Sequence, residues 1–254
     1  MDTLFPFLGP LTLIIVLGIA FLAGFVKGVV GFALPLVLIS GLTLFLPAEI
    51  ALAGVIVPLL VTNAIQSLRK GPGAAWNSAK NFRTFLISGG IAMVLAAQLV
   101  RVVADTALLA IIGVTAVIYA LLQLAGVRLT LKRRSNGAEA TIGTMAGFFG
   151  GLSGVWGPPT VMYLTAIGTP KEDSLRIQGV IYGAGSVVLC IAHAASGVVR
   201  AETLPFSILL ILPAVAGMWV GGRVVDRIDQ ERFKAATLIV LLIAGANLIR
   251  RAVS

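Results

Sequence analysis

The sequence predicts an all-α polytopic membrane protein made of two inverted repeats, each a Gly/Pro-broken helical hairpin followed by three transmembrane helices. Three observations predict it: charge is scarce, apolar residues fall in blocks of near-bilayer length, and one glycine and proline motif occurs twice in the same register. Of 254 residues, 58% are hydrophobic and 11% charged, with a mean hydropathy of +1.04, whereas a soluble domain carries charge on about a quarter of its residues. A hydrocarbon core of about 30 Å asks for roughly 20 apolar residues per crossing helix. The apolar blocks are 11–33, 34–46, 49–68, 83–104, 106–126, 139–155, 158–168, 174–195, 204–225 and 233–249, joined by short loops. No soluble domain interrupts them, which leaves transport, channel conduction or intramembrane catalysis.

The first block follows MDTLFPFLGP, which has no Lys or Arg and no A-x-A-like cleavage pattern, so 11–33 reads as a retained segment rather than a signal peptide. The shortness of 34–46 favours a re-entrant hairpin with 11–33 over two full crossings, and either arrangement returns the chain to its starting side. The two halves then share a gapless segment. Residues 23–35 read AGFVKGVVGFALP and residues 146–158 read AGFFGGLSGVWGP, so that Gly24, Gly28, Gly31 and Pro35 match Gly147, Gly151, Gly154 and Pro158 at a displacement of 123. The whole chain, 1–254, is one transmembrane domain with repeats 1–127 and 138–254 joined by a basic linker, 128–137.

An odd number of crossings per repeat turns the second copy upside down, and the basic residues test that arrangement. With Arg128, Lys132, Arg133 and Arg134 of the linker placed in the cytoplasm, Arg69, Lys70, Lys80, Arg83, Lys171, Arg176, Arg223, Arg227, Arg232 and Lys234 fall there too. Fourteen of the 19 Lys and Arg residues are then inside, and only Arg101, Arg200, Arg250 and Arg251 lie outside. The net charge of +9 therefore reports orientation and no nucleic-acid partner.

Within the motif, glycines at three- and four-residue spacing let a helix approach a neighbour's backbone, and this packing role suits Gly24 and Gly147. Proline cannot continue a helix but fits the first turn of a new one, so each motif reads as helix, break and half-helix. A half-helix that starts inside the bilayer presents free N–H groups and the positive end of its dipole, worth up to about 2 kcal/mol toward an anion in a partly buried site. Broken backbone at that depth is tolerated where it lines a cavity. In inverted repeats the two breaks meet near the midplane, as they do at transporter substrate sites.

Lys27, the remaining basic residue, lies inside the first motif, where an unpaired charge costs about 2.5 to 3.5 kcal/mol or more. All ten carboxylates lie at segment ends or in loops, so the centre favours an anion over a cation. Neutral polar candidates follow each break: Asn63 and Gln66 on 49–68, Ser153 in the second motif, Gln178 and Tyr182 on 174–195. The lone Cys190 excludes an intrachain disulfide. Intramembrane proteolysis lacks its usual parts, with no H-E-x-x-H, no G-x-S-x-G with triad partners and no aspartate pair. GFFGGLSG lacks the Lys-Ser/Thr of a phosphate loop. One His and one Cys make no metal site, and neither a cofactor nor a catalytic residue is expected.

The duplicated AGFVKGVVGFALP and AGFFGGLSGVWGPP, about 120 residues apart in a chain of 254, resemble the TauE/SafE family of membrane permeases, formerly grouped as sulfite exporters. The resemblance covers both motifs, the basic linker and the small-residue helices at 89–101 and 213–225. It implies export of sulfite, sulfoacetate or related organosulfonates across the bacterial inner membrane, with a small anionic substrate and the lipid bilayer as partners. The sequence departs from the commoner pattern at Ala33, where the first motif often has another glycine, and at the bulky Trp156. The expected substrate site comprises Lys27, Gly28, Gly31, Pro35, Asn63, Gln66, Gly151, Ser153, Gly154, Pro158 and Gln178. An anion channel of the same architecture and a non-transporting subunit of a membrane complex are the alternatives; saturable flux separates the first from a transporter, and copurifying partners mark the second.

Overall fold

The computed structural model describes residues 9–100, 102–126, 131, 134–195, 197–224 and 229–253, and every regular element among them is an α-helix. Arg128, Lys132 and Arg133 of the linker, with Arg101 and Arg227, lie outside the described residues. Helix α1 (Pro10–Val30) opens on a proline, whose fixed φ and missing N–H suit the first helical position, and stops at Gly31. It is followed by α2 (Leu34–Leu42), α3 (Ala48–Leu68), α4 (Pro72–Asn81), α5 (Arg83–Leu99) and α6 (Asp105–Leu124). The second half runs α7 (Asn136–Ser153), α8 (Gly157–Ala166), α9 (Lys171–Ala195), α10 (Leu204–Leu209), α11 (Ile211–Val224) and α12 (Gln230–Val253). Ser135 caps α7, its Oγ accepting the Ala138 N–H at 3.1 Å.

Among the described residues, five segments are long and apolar enough to cross a membrane: α1, α3, Thr106–Leu124, Arg176–Ala195 and Leu204–Val224. The α4 and α5 pair makes a sixth if taken as one span, although the two helices meet at 81°. Glycines and polar residues dilute α7, which does not join that set despite the apolar block at 139–155. Helices α2 and α8 have nine and ten residues, about 15 Å at 1.5 Å per residue, half of a bilayer core. The apolar blocks 34–46 and 158–168 are therefore half-helices. Exposed Leu11, Ile14, Ile87, Leu95, Leu212 and Ile243 stud the outer surface, a composition suited to acyl chains rather than water.

Four helix pairs carry most of the packing: α1 with α11, α7 with α5, α6 with α12, and α3 with α9. Glycine decides the first two. A Cβ on Gly24 would lie 1.9 Å from the Ala214 carbonyl oxygen and one on Gly147 would lie 2.0 Å from that of Gly89. Gly28 and Gly151 repeat the arrangement one turn on, with 2.3 Å to the Met218 oxygen and 2.5 Å to that of Met93. The obstructing atoms are backbone, so no rotamer change could admit a side chain. The leading glycines of both motifs thus hold the two crossings together, as expected for Gly24 and Gly147.

Candidate functional site

The site grows from the two places where the motif stops being helix. Gly31 ends α1 at φ 84 with its N–H on the Lys27 carbonyl at 2.8 Å, and Gly154 ends α7 at φ 69 with its N–H on the Gly150 carbonyl at 2.7 Å. This left-handed conformation is easy for glycine and costs other residues about 1–2 kcal/mol. Ala33 also adopts it, at φ 75, as the N-cap of α2. Prolines in the first turns of α2 and α8 then restart the chain as helix. No side chain caps either N-terminus, so the positive dipole ends are left for another partner.

Both breaks border one cavity of about 20 Å³, room for a single water. Ala33, Leu34 and Pro35 line it from the first break, and Gly154, Val155, Trp156 and Gly157 from the second. Lys27, Phe32, Leu36, Leu59, Asn63 and Tyr182 complete the wall. The Lys27 side chain is 2% exposed and donates to Thr62 Oγ1 at 3.1 Å and to Asn63 Oδ1. Asn63 Nδ2 donates to the Tyr182 carbonyl at 3.1 Å, which turns the amide oxygen toward the ammonium. The Tyr182 hydroxyl donates to the Gly157 carbonyl at 3.3 Å. A chain of polar contacts therefore ties the two breaks together through α3 and α9. Among the described residues no carboxylate pairs with Lys27; its partners are neutral oxygens, which solvate the charge without cancelling it.

Of the residues expected from sequence, Lys27, Pro35, Asn63 and Gly154 line this cavity. Gly31 forms the first break, its carbonyl accepting from Gln66 Nε2 at 3.1 Å, so Gln66 holds the break from behind. Ser153 holds the second: its hydroxyl donates to the Phe149 carbonyl at 2.7 Å and accepts the Val155 N–H at 3.3 Å. Gln178 sits one turn away, receiving Tyr182 at 3.4 Å and donating to Ser174 at 3.0 Å. Pro158 belongs to the first turn of α8. Gly28 and Gly151 stand elsewhere, at the crossings with α11 and α5, where their lack of a side chain serves packing. Sequence reasoning missed Phe32, Leu59 and Thr62. The α3 spacing held a signal for two of them, because Leu59, Thr62, Asn63 and Gln66 recur at i, i+3, i+4 and i+7 on one face.

The family model described as Sulfite exporter TauE/SafE matches residues 16–248, which takes in both breaks, Lys27, Asn63 and the whole cavity wall. The chain belongs to the TauE/SafE family. No curated protein and no solved structure matches it. TauE/SafE proteins are membrane transporters and not enzymes.

Proposed function

We propose that this TauE/SafE protein is a permease for small sulfur-containing anions such as sulfite, sulfoacetate or related organosulfonates, exporting them across the bacterial inner membrane. The observation that carries the reading is Lys27: one buried ammonium beside two uncapped half-helix N-termini, with neutral partners and no carboxylate. An anion completes that charge balance. The substrate site is formed by the two breaks with Lys27 and Asn63, while Gln66, Ser153 and Gln178 hold its walls.

The repeats 1–127 and 138–254, related by inversion, supply the frame. Supporting this, the half-helices share a cavity at their N-termini but end among different partners. The Thr43 carbonyl at the end of α2 accepts from Arg251, whereas the Ala166 carbonyl at the end of α8 accepts the Leu131 N–H at 2.8 Å. Charge counting puts Arg251 outside and the linker inside. Cysteines at Gly73 and Glu202 in a Cys190→Ser background should be labelled from opposite faces; labelling from one face contradicts inversion.

The functional test is flux. Purified protein in liposomes should give saturable movement of radiolabelled sulfite, competed by organosulfonates and not by cations. Conductance without saturation would make it a channel, and no flux or binding for any sulfur anion would overturn the reading.

A further inference from the structure

The central cavity holds about one water, yet a sulfite or sulfonate group has a sulfur and three oxygens to accommodate. The space it needs lies next door. A second cavity of about 210 Å³ sits between α5, α7 and α9, walled by small residues such as Gly89, Gly90 and Gly185. Ile87, which is 62% exposed, and Ala184 lie at its lipid-facing mouth. The two cavities share one lining residue, Trp156.

The indole is held in a slot made by glycines. A Cβ on Gly150 would lie 2.8 Å from Trp156 Cε3, and one on Gly185 would lie 3.3 Å from Cε2. Tyr182 meets the indole edge to face, with ring centroids 6.4 Å apart and planes at 64°. By contrast, Lys27 and Asn63 are fixed by hydrogen bonds, and the breaks are fixed by helix ends. Trp156 is thus the wall of the small cavity with empty volume behind it.

We infer that Trp156 is a specificity-determining partition: its indole turns into the lateral cavity as an anion enters, and the volume of that lateral cavity sets the size of organic group the site admits. The anion's charged end stays on Lys27 while its apolar part follows the indole. The inference rests on the reading of the central cavity as the anion site.

The test uses the whole protein with Trp76→Phe and Trp219→Phe, leaving Trp156 as the only tryptophan for selective excitation, in lipid with dibrominated acyl chains. Sulfite should increase quenching of Trp156 as the ring moves toward lipid. In parallel, Gly90→Leu fills the lateral cavity; a Cβ there meets nothing within 4 Å, so the protein should fold normally while calorimetric sulfite affinity falls at least tenfold. Trp156→Ala should raise affinity for benzenesulfonate relative to sulfite by about tenfold, or about 1.4 kcal/mol. Sulfite binding with unchanged quenching and normal affinity in Gly90→Leu would overturn the partition and leave the anion site standing. If the protein with wild-type cavities binds neither sulfite nor benzenesulfonate, the anion site itself falls, and the partition with it.

Discussion

The two breaks use the same backbone and different side chains. In both, a pair of glycines seats the incoming helix on a neighbour's backbone, a third glycine turns the chain left-handed, and proline restarts it. Two of the matched positions that differ matter most here: Lys27 corresponds to Gly150, and Ala33 to Trp156. The first break supplies charge, since Lys27 reaches Thr62 and Asn63 on α3. The second supplies shape, since the missing side chain at Gly150 leaves the slot that the Trp156 indole fills. Duplication thus provides two dipole ends aimed at one cavity, and divergence at two positions makes a polar end and an aromatic end. The proposed organosulfonate substrate, with a charged head and an apolar tail, would use that asymmetry.

The largest expected effects test what the halves share. Gly24→Ala and Gly147→Ala each drive a methyl into a carbonyl oxygen at about 2 Å, which the helices can relieve only by separating. Each should cost about 3 kcal/mol, the upper end for overpacking, read as loss of the monodisperse size-exclusion peak or a large fall in Tm. Normal stability in one and not the other would mean the crossings are not equivalent. Gly154→Ala is milder because the nearest atoms to a new Cβ are 3.8 Å away. Only the left-handed backbone resists it, so Tm should fall by the equivalent of about 1–2 kcal/mol.

The smallest effect sharpens the contrast at Ala33, a residue with a side chain at φ 75. Ala33→Gly removes about 1–2 kcal/mol of left-handed strain and adds about 0.5–1 kcal/mol of chain entropy. A net stabilisation of at most about 1.5 kcal/mol should appear as a slightly raised Tm. A lowered Tm would show that the Ala33 methyl, 3% exposed in the cavity wall, contributes more packing than its backbone costs.

Much of this was legible in the sequence because membrane helices announce themselves by length and apolarity, and because the repeat marked both breaks. Asn63 was legible as a polar residue on the segment after the first break. Helix α4 was not, since PGAAWNSAKN is too polar and too short to register as a membrane segment. Its place becomes clear only in three dimensions, where it lies at 81° to α5 with Trp76 exposed and Lys80 over its ring at 5.4 Å. The division of labour among the motif glycines was also hidden. Spacing cannot tell Gly28, which meets a neighbouring backbone, from Gly31, which turns the chain. Trp156 stood out as bulky, but the cavity behind it depends on α5 and α9, far away in sequence.

The central claim is that the Lys27 ammonium binds the anion, and Lys27→Met tests it most directly by keeping most of the stem and removing the charge. The measurement is sulfite affinity of purified wild type and Lys27→Met by calorimetry, after size-exclusion profiles show both to be folded. Loss of the charge should weaken binding tenfold or more, at least about 1.4 kcal/mol, with Lys27→Arg intermediate because its guanidinium is larger and planar. Equal affinities in wild type and Lys27→Met would contradict the account and leave the half-helix N-termini alone to hold the anion.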